Sequence, residues 1–272
     1  MQRQHSTAPA GEQPTRVSIV IPVYNESRRI AATIDQVASF LESTSLEAEV
    51  IVADDGSTDD TREITSRKLA ELPNARLLEL PHGGKAHAVL AGLSEASGDI
   101  VGFMDADLAT PLPNLLSALD SIADGADIVI GSREGTGSRR IGEPEYRHVM
   151  GRIFNWIVRT TLLPGIDDTQ CGFKFGRHQA WARILPQVRL YRDPGEVKQP
   201  RVTAFDVELL YIARRLGLRI DVLPVTWSYG TSSKVNPIRD TLQNLRDVAQ
   251  VWLNGRRGLY DAAPSESTTG SA

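Results

Sequence analysis

The sequence predicts an α/β fold in which helices cover both faces of a mostly parallel central sheet. Between residues 17 and 133, short apolar runs rich in β-branched residues alternate with segments of helical period. Apolar runs of this length are typical of strands buried on both faces of a parallel sheet. Polar and charged residues follow most of these runs, and ligands of such sheets bind beyond the carboxyl ends of the strands. We therefore expect a binding cleft along one edge of the sheet.

The composition fits a folded protein with a substantial core and excludes several classes of function. The 272 residues are 41% hydrophobic and 24% charged, and the formal net charge of -4 argues against a nucleic-acid partner. Cys171 is the only cysteine, which excludes an internal disulfide, and the histidines show no zinc-binding spacing. No apolar stretch is long enough to cross a bilayer and no signal-peptide core is present, so we expect a cytoplasmic protein.

We expect a single domain over residues 16–260, with polar tails at residues 1–15 and 261–272 that cannot bury enough surface to fold. Its first half, about residues 16–133, contains the alternating strands and helices, and its second half covers about residues 146–260. The sequence does not indicate an oligomeric state.

The first predicted unit is a strand over residues 17–21, ended by Pro22, and an amphipathic helix that begins near residue 30. Ser27 is the expected N-cap of this helix. Tyr24, Asn25 and Glu26 lie between the two elements, at the predicted edge of the sheet.

The second unit is a strand over residues 50–53, the turn DDGSTDD and a helix over about residues 58–72. Within the turn, Ser57 with the acid three residues later resembles a capping box, so the later acids have a structural explanation. Asp54 and Asp55 precede the cap at the carboxyl end of the strand, and we favour a ligand-binding role for them over a solvated turn.

A third strand, over residues 75–80, leads into PHGGKAHAV. Gly83 and Gly84 allow the backbone to approach another group closely. Lys85 begins a helix, where its charge opposes the helix dipole. This arrangement suggests that Lys85 binds an anion, although a solvated surface lysine explains it equally well. The P-loop spacing is absent, and no Gly-x-Gly-x-x-Gly follows the first strand, which argues against a dinucleotide-dependent oxidoreductase.

The fourth strand, in DIVGFMDADLATP, ends in two carboxylates, Asp105 and Asp107, separated by Ala106. Carboxylates that share a small volume repel each other unless a cation lies between them. A Mg2+ or Mn2+ ion, held by these carboxylates together with substrate phosphates, explains the pair. A simple turn is the alternative, because acids are common at strand ends.

A helix over about residues 113–123 and a strand over residues 128–130 follow, and Arg133 comes directly after this strand. Residues 132–145 are rich in glycine and charge and show no apolar periodicity. They predict either a mobile loop that closes over a ligand or a solvated linker. The helix around residues 149–158 has one apolar face, which we expect to pack on the sheet.

The later segments contain further candidates. Cys171 has no positioned histidine near it in sequence, so a structural role is favoured over a nucleophilic one. If FDVELL is helical, Asp206 and Glu208 point in different directions, so that one faces the cleft and the other braces the fold. We choose Asp206 as the residue nearest the acceptor. The amphipathic segment 237–255 either lies on an anionic membrane or packs on the domain, and packing is slightly favoured.

Four motifs in this order and spacing, PVYNE, DDGSTDD, DADLATP and GSR, resemble the family 2 glycosyltransferases of GT-A fold. In the second half, DDTQCGFKFG at 167–176 and FDVELLYIARRLG at 205–217 are similar to the dolichyl-phosphate β-glucosyltransferases and their bacterial polyprenyl-phosphate relatives. The similarity spans roughly residues 17–253.

The resemblance implies a role for each candidate. The nucleotide of a UDP-sugar would contact Pro22, Tyr24, Glu26 and Asp55, with the backbone of Ala53 beside the base. Asp105 and Asp107 would hold the metal and the diphosphate. The residues expected in catalysis are Asp206, Asp107 and Arg133; the further residues expected to bind the donor are Lys85, Asp54 and Ala106; those expected near the acceptor are Arg139, Arg140, Asp168, Gln170, Lys174, Glu208 and Lys234.

By the same resemblance, the chain inverts the anomeric carbon and moves a hexose, with glucose favoured, from a UDP-sugar to a polyprenyl phosphate. Such an acceptor is already ionised at neutral pH, so it needs cations rather than a strong general base. Membrane contact would then be peripheral, at the inner face. The alternatives are transfer to a hydroxyl acceptor, or a nucleotide-sugar-binding module without turnover. Mannose against glucose, GDP against UDP and Mg2+ against Mn2+ stay open.

Overall fold

The computed structural model describes residues 15–142, 144–192, 203–228 and 237–261. Strands and helices alternate in the first half of the chain, as the sequence predicts. The strands are β1 (Val17–Val23), β2 (Ala48–Asp54), β3 (Ala75–Glu79), β4 (Ile100–Met104), β5 (Ile128–Ser132), β6 (Arg139–Ile141), β7 (Phe173–Arg177), β8 (Ile220–Pro224) and β9 (Thr226–Ser228). The helices are α1 (Ile30–Thr44), α2 (Thr61–Leu69), α3 (Lys85–Glu95), α4 (Asn114–Ala123), α5 (Glu145–Thr161), α6 (His178–Ile184), α7 (Phe205–Arg215) and α8 (Pro237–Arg256).

The central sheet has seven strands in the order β3-β2-β1-β4-β7-β5-β8. Strand β7 is antiparallel to both of its neighbours, β4 and β5. The other neighbouring pairs are parallel. The prediction of a mostly parallel sheet is therefore confirmed. The antiparallel strand was not predicted, because FKFGR contains two cations and does not look like a central strand.

Side chains that alternate along the strands enter two separate cores, one on each face of the sheet. In β4, Phe103 belongs to the first core and Met104 to the second. The first core also takes in buried residues of α3, α6 and α7, and the second those of α1 and α4. The prediction of helices on both faces is confirmed.

The turns after β1 and β2 are cross-linked by the side chains of Asn25 and Ser57. Helix α1 begins after Arg29, without a side-chain cap, so Ser27 is not its N-cap. The Ser57 hydroxyl does not cap α2 but accepts a hydrogen bond of 2.9 Å from the Asn25 N–H. In the other direction, Thr58 N–H donates to the Asn25 side-chain oxygen over 2.8 Å. Both cap predictions were wrong because these groups bind across two turns rather than within one.

The segment 132–145 is more regular than a loop. Strand β6 pairs in parallel with β9, and together they form a separate two-stranded sheet. The Arg139 N–H also donates to the Val225 carbonyl over 3.1 Å. The expectation of a segment without regular structure was wrong here, because the pairing joins residues that lie far apart in sequence.

The second half of the chain completes the sheet of the first half. Strand β7 lies between β4 and β5, and β8 forms the edge beside β5. Both α5 and α8 occur where amphipathic helices were predicted. None of the helices in the described part of the chain combines the length and apolarity needed to cross a bilayer.

We predict that Gly102→Ala lowers the free energy of unfolding by about 2 kcal/mol. A Cβ at Gly102 would overlap the Phe175 ring and the Lys174 carbonyl oxygen in the neighbouring strand, where neither can retreat easily. Urea denaturation measures the change. The matched control is Gly151→Ala in α5, where a Cβ meets no atom within 4 Å. This control should raise the stability by about 0.5–1 kcal/mol through helix propensity. Equal effects of the two substitutions would contradict the packing argument.

Candidate active site

The carboxyl ends of β1, β2 and β4 meet at one edge of the sheet and open into a cleft of about 230 Å³. Because β7 runs antiparallel, its amino end and the residues before it reach the same edge. The cleft is lined by Pro22, Val23, Tyr24, Glu26, Arg29, Asp55, His82, Gly84, Lys85, Ala88, Asp105, Ala106 and Asp107.

An aromatic pair forms one end of the cleft. The rings of Tyr24 and His82 stack with centroids 4.2 Å apart and planes inclined by 12°. The His82 Nδ1 atom lies 2.8 Å from Asp55 Oδ2, so it carries the proton and donates to that carboxylate. Its Nε2 is buried, with no hydrogen-bond partner in the described part of the chain. This end of the cleft is suited to a flat, polar ring.

Asp55 fixes the position of the loop that contains His82. Its Oδ1 accepts hydrogen bonds from the N–H groups of Gly83 and Gly84, at 2.8 and 2.9 Å. Gly84 has φ 92° and ψ 164°, a conformation accessible essentially to glycine alone. The close approach predicted for these glycines is therefore to a carboxylate of the protein itself. Asp55 lines the cleft while holding its wall in place.

Asp54 is not among the residues that line the cleft. Its carboxylate is fully buried and accepts hydrogen bonds from Arg62 Nε at 2.6 Å and from Ser57 N–H at 2.9 Å. Ala53 is buried inside β2, opposite Pro22 of β1. The expected ligand-binding role of Asp54 is thus replaced by a structural one, because the turn needs a buried counter-ion for Arg62.

Glu26 and Arg29 form another wall of the cleft. The Glu26 carboxylate pairs with Arg29 Nε at 2.8 Å, and its N–H donates to the Thr61 hydroxyl at 2.8 Å. Asn25, directly before Glu26, has φ 53°, a left-handed conformation that asparagine tolerates better than most residues. The predicted nucleotide-binding residues Pro22, Tyr24, Glu26 and Asp55 therefore share one cleft, whereas Asp54 and Ala53 lie behind it.

The carboxylates of Asp105 and Asp107 lie at the opposite end, in a strained turn. Leu108 follows them with φ 49°, a left-handed conformation that costs a residue other than glycine about 1 kcal/mol or more. The turn is closed by the Leu108 N–H, which donates to the Asp105 carbonyl, and by the Ala109 N–H, which donates to Asp107 Oδ1. Partial desolvation and the charge of Asp105 raise the pKa of Asp107 above its usual value.

Lys85 provides the cation that this pair requires. Its Nζ lies 2.5 Å from Asp105 Oδ1. Desolvation alone would lower the pKa of Lys85, but the charges of Asp105 and Asp206 raise it above the ordinary lysine value. The anion that the sequence predicts near Lys85 is therefore the Asp105 carboxylate of the protein itself.

The site also fits a divalent metal. Its acidic side chains offer the oxygen ligands that Mg2+ and Mn2+ prefer, and their mutual repulsion shows that a second positive charge is favourable there. Across the described ranges, no cluster of three or more His, Cys, Asp or Glu side chains forms a complete metal cage. Asp105 and Asp107 would therefore share the ion with substrate phosphates, as is common for Mg2+.

Gly172 allows Asp105 to occupy its position. The Asp105 N–H donates to the Gly172 carbonyl over 3.0 Å, and a Cβ at Gly172 would overlap the Asp105 carboxylate. Cys171, the preceding residue, is fully buried, and burial raises the pKa of its thiol to about 11. A thiol with this pKa is a poor nucleophile, which agrees with the structural role expected for Cys171.

A second ion pair lies near the first one. Asp206, in the first turn of α7, pairs with Lys174 Nζ at 2.6 Å, and Lys174 is completely buried. Lys174 Nζ also donates to the Cys171 carbonyl over 2.7 Å. Burial raises the pKa of Asp206, although the charges of Lys174 and Lys85 oppose this shift. The structure thus brings Asp206 within electrostatic reach of the carboxylate end of the cleft.

Arg133 and Asp168 form a buried bidentate pair. Arg133 Nε lies 2.7 Å from Asp168 Oδ2 and its terminal nitrogen 2.9 Å from Oδ1, and the Arg133 N–H donates to Oδ2 as well. Burial alone would raise the pKa of Asp168, but Arg133 lowers it to about 2. Arg133 also lies over the Trp227 ring at 5.3 Å.

A second cavity of about 620 Å³ lies beside this pair. Arg133, Arg140 and His148 line it together with Glu134 and Glu145, so it carries charges of both signs. Arg140 pairs with Glu134 at 2.8 Å.

The remaining acceptor candidates are dispersed. Glu208 is fully buried and accepts hydrogen bonds from the Tyr260 hydroxyl at 2.7 Å and from the Arg189 N–H at 2.9 Å. It therefore braces α7, and the expectation that it lies near the acceptor was wrong because its carboxylate is needed in the core. Arg139 is exposed on β6, and Gln170 has a buried amide nitrogen without a partner in the described ranges. Lys234 lies outside the described residues.

Sequence reasoning missed His82 and Arg29, which are polar residues of the cleft lining, and Gly172, which packs on Asp105. A histidine directly before Gly-Gly at the end of a predicted strand was a usable signal for His82. Arg29 looked like an ordinary residue at a helix start. Gly172 could not be recognised, because its role depends on a contact with a residue that lies far away in the sequence.

A family model described as Glycosyl transferase family 2 matches residues 18–184, which include all the residues that line the cleft. The chain belongs to glycosyltransferase family 2. The glycosyltransferase is 33% identical over 264 residues to the "Dolichyl-phosphate beta-glucosyltransferase" of Drosophila melanogaster, a match covering 91% of this chain and 77% of that protein. It is 31% identical over 265 residues to the protein of the same name from Mus musculus, covering 92% and 79%.

Among solved structures, the glycosyltransferase is similar to mannosyl-3-phosphoglycerate synthase from Rubrobacter xylanophilus, with a TM-score of 0.64 and 17% identity. The match covers 90% of this chain and 76% of that one. At this identity the similarity establishes the fold, which is the GT-A fold that the sequence motifs implied.

We predict that Asp168→Asn destabilises the glycosyltransferase in a pH-dependent way. Because the pKa of Asp168 is lowered to about 2 from 3.8, its charge stabilises the fold fully above about pH 5 and less as the pH falls from about 4 to 2. This lowering of the Asp168 pKa alone corresponds to about 2 kcal/mol of the free energy of unfolding at pH 7. Urea unfolding should show a stability difference from wild type that falls by about half at pH 3.

The control for this experiment is Asp167→Asn. Asp167 pairs with Arg159 at the surface, with side chains that are 47% and 56% exposed. The loss of unfolding free energy in Asp167→Asn should stay within about 1 kcal/mol. A deficit in Asp168→Asn that is the same at pH 7 and pH 3 would contradict the lowered pKa.

Proposed function

We propose that this glycosyltransferase transfers glucose from UDP-glucose to a polyprenyl phosphate of the dolichyl type. The observation that carries the proposal is the cleft itself, which has a stacked aromatic pair at one end and paired carboxylates with a lysine at the other. A nucleoside diphosphate has a matching arrangement of groups, with a flat base at one end and concentrated negative charge at the other. The relatives named dolichyl-phosphate beta-glucosyltransferase, at 31% and 33% identity, support the choice of sugar and acceptor.

At the base end, Tyr24 offers a ring face and Asp55 a carboxylate fixed by two backbone N–H groups. His82 donates to Asp55 through Nδ1, and in the neutral form of the ring Nε2 is then an acceptor. Uracil presents an N–H donor between two carbonyl groups and therefore matches an acceptor in this wall. We assign recognition of the base to these side chains.

At the phosphate end, Asp105 and Asp107 would hold a divalent metal ion shared with the donor diphosphate. Such an ion stabilises the negative charge that the leaving UDP acquires as the bond to the sugar breaks. Lys85 adds a fixed positive charge beside Asp105 and can turn from this carboxylate to a phosphate oxygen. Its raised pKa keeps Lys85 charged at neutral pH.

The acceptor phosphate requires no strong general base, because its second pKa is about 6 and it is mostly dianionic at neutral pH. Asp206 fits this requirement, since its carboxylate is already bound by the buried Lys174. We therefore assign Asp206 to electrostatic positioning at the acceptor side rather than to proton abstraction. A hydroxyl acceptor would instead need a carboxylate that can take up its proton.

We place the approach of the acceptor beside Arg133 and Arg140, in the second cavity. The segment from Asp168 to Gly172 joins this cavity to the metal end of the cleft, because Asp168 pairs with Arg133 and Gly172 packs on Asp105. A lipid acceptor also implies a peripheral contact with the membrane, at the face where the nucleotide sugar is available.

The acceptor assignment is tested by offering radiolabelled UDP-glucose with Mn2+ and either a polyprenyl phosphate or 3-phosphoglycerate. We expect labelled product with the polyprenyl phosphate only. Asp206→Asn should retain activity within about tenfold of wild type, because no proton has to be removed, whereas loss of a general base costs about 100-fold or more. Product with 3-phosphoglycerate alone would overturn the acceptor assignment.

We predict that Gly172→Ala weakens the Mn2+-dependent part of UDP binding by about 10- to 100-fold, as changes that displace a metal ligand generally do. The added methyl group would push the Asp105 carboxylate out of place. Calorimetry with UDP, with and without Mn2+, measures the effect, and Asp107→Asn should give the same pattern. The control Gly151→Ala, which has open space around it, should bind like wild type. Unchanged Mn2+ dependence in Asp107→Asn would remove the metal site from the mechanism.

A further inference from the structure

Helix α5 carries apolar side chains on both of its faces. Phe154 and Val158 are buried in the first core, as the sequence predicts, but the expectation that Val149 and Ile153 pack with them was wrong. On the opposite face, however, Val149, Ile153 and Trp156 are 55%, 57% and 65% exposed. Their spacing of four and three residues places them in one stripe along the helix. Single exposed apolar residues are common, but three large ones in a stripe indicate a contact with something outside the domain.

Helix α8 has a similar outward face. Val248 and Val251 are buried in the same core as α5, whereas Leu242 and Leu253 are 54% and 39% exposed. The exposed leucines are three helical turns apart and therefore lie on one side. Trp252, beside this stripe, is 40% exposed.

The two stripes belong to one surface. Helices α5 and α8 contact each other and bury their inner faces in a common core, so their outer faces point to the same side of the molecule. We call this surface the α5–α8 face and define it by Val149, Ile153, Trp156, Leu242, Trp252 and Leu253.

Exposed arginines lie among these apolar residues. Arg152 is exposed on α5, and Arg246 and Arg256 on α8; Arg159 of α5 is also exposed but pairs with Asp167 at 2.7 Å. Among the described side chains of the two helices, the carboxylates are Glu145, at the first residue of α5, and Asp247, which is buried. The whole chain has a net charge of -4, so this positive surface does not follow from the composition.

The geometry points to an anionic lipid bilayer as the partner of the α5–α8 face, an inference that rests on the lipid acceptor of the proposed function. Tryptophan and arginine beside aliphatic side chains are typical of helices that lie in the membrane interface. A second copy of this chain fits less well, because a two-fold contact through this face would bring arginines of like charge together. An anionic surface neutralises them instead.

The α5–α8 face also adjoins the acceptor side of the site. Val149 and His148 of α5 line the cavity that contains Arg133 and Arg140. Docking through this face would therefore hold that cavity at the level of the lipid headgroups, where the phosphate of a polyprenyl phosphate lies.

Vesicle sedimentation with the full chain tests the inference. We expect binding to vesicles of phosphatidylcholine mixed with phosphatidylglycerol, weaker binding as salt is raised, and little binding to phosphatidylcholine alone. Ile153→Asp and Trp156→Ser should each weaken binding by about tenfold or more, from the loss of one buried apolar side chain. Arg152→Ser and Arg246→Ser should each weaken it by about fivefold.

Matched controls separate docking from general effects. Leu116→Asp changes a leucine of α4 that is 37% exposed and belongs to the opposite side of the sheet. Arg67→Ser removes an exposed arginine of α2. Both controls should bind vesicles like wild type. Equal losses of vesicle binding in Ile153→Asp and Leu116→Asp would overturn the inference. It would also be overturned if the wild-type protein bound no vesicles and instead formed a dimer that Ile153→Asp dissociates.

Activity assays keep this inference distinct from the proposed function. With geranyl phosphate, a short soluble acceptor, the Ile153→Asp enzyme should glucosylate at the wild-type rate; with polyprenyl phosphate in anionic vesicles, its rate should fall with its vesicle affinity. If the wild-type enzyme glucosylates geranyl phosphate but binds no vesicles, the docking inference is overturned and the proposed function is retained. Selective vesicle binding without transfer to either prenyl phosphate would support the face and contradict the function.

Discussion

The site depends on the mutual repulsion of Asp105 and Asp107, which the protein keeps close together at the carboxyl end of β4. A strained turn at Leu108 holds the pair in place, and Lys85 neutralises one member at 2.5 Å. An arrangement of this kind stores electrostatic free energy that is released when cationic charge is added. Binding a metal together with a diphosphate is therefore favourable at this point of the sheet, and the surrounding contacts serve to keep the carboxylates where that charge is needed.

The insertion of β7 between β4 and β5 explains how the second half of the chain reaches the same place. An antiparallel strand starts at the edge where its parallel neighbours end, so the residues before it, from Asp168 to Gly172, arrive beside Asp105 and Arg133. Lys174, in the same strand, then meets Asp206 at the start of α7. One reversal of strand direction thus joins the cleft to the second cavity.

Much of this arrangement could be predicted from local signals. Short β-branched runs gave the strands of the first half, and the polar residues after them gave Tyr24, Glu26, Asp55, Asp105 and Asp107, all of which line the cleft. The features that were missed depend on partners far away in sequence. Asp54 is the buried partner of Arg62, Glu208 is bonded within the core, Ser57 binds Asn25, and β6 pairs with β9. A single sequence indicates which side chains can form such bonds, but the fold decides which bonds they form.

The bidentate pair of Arg133 and Asp168 has a consequence for how the chain can vary. It ties together two points 35 residues apart, and between them lie β6, α5 and Arg140 of the second cavity. This excursion leaves the sheet at one point and returns to it at the same point, and in between it is held by the pairing of β6 with β9, the contact of α5 with α8 and the burial of Phe154 and Val158 in the first core. The parts of the excursion outside these contacts can therefore diverge in length and sequence, while the cleft at the ends of β1, β2 and β4 stays as it is.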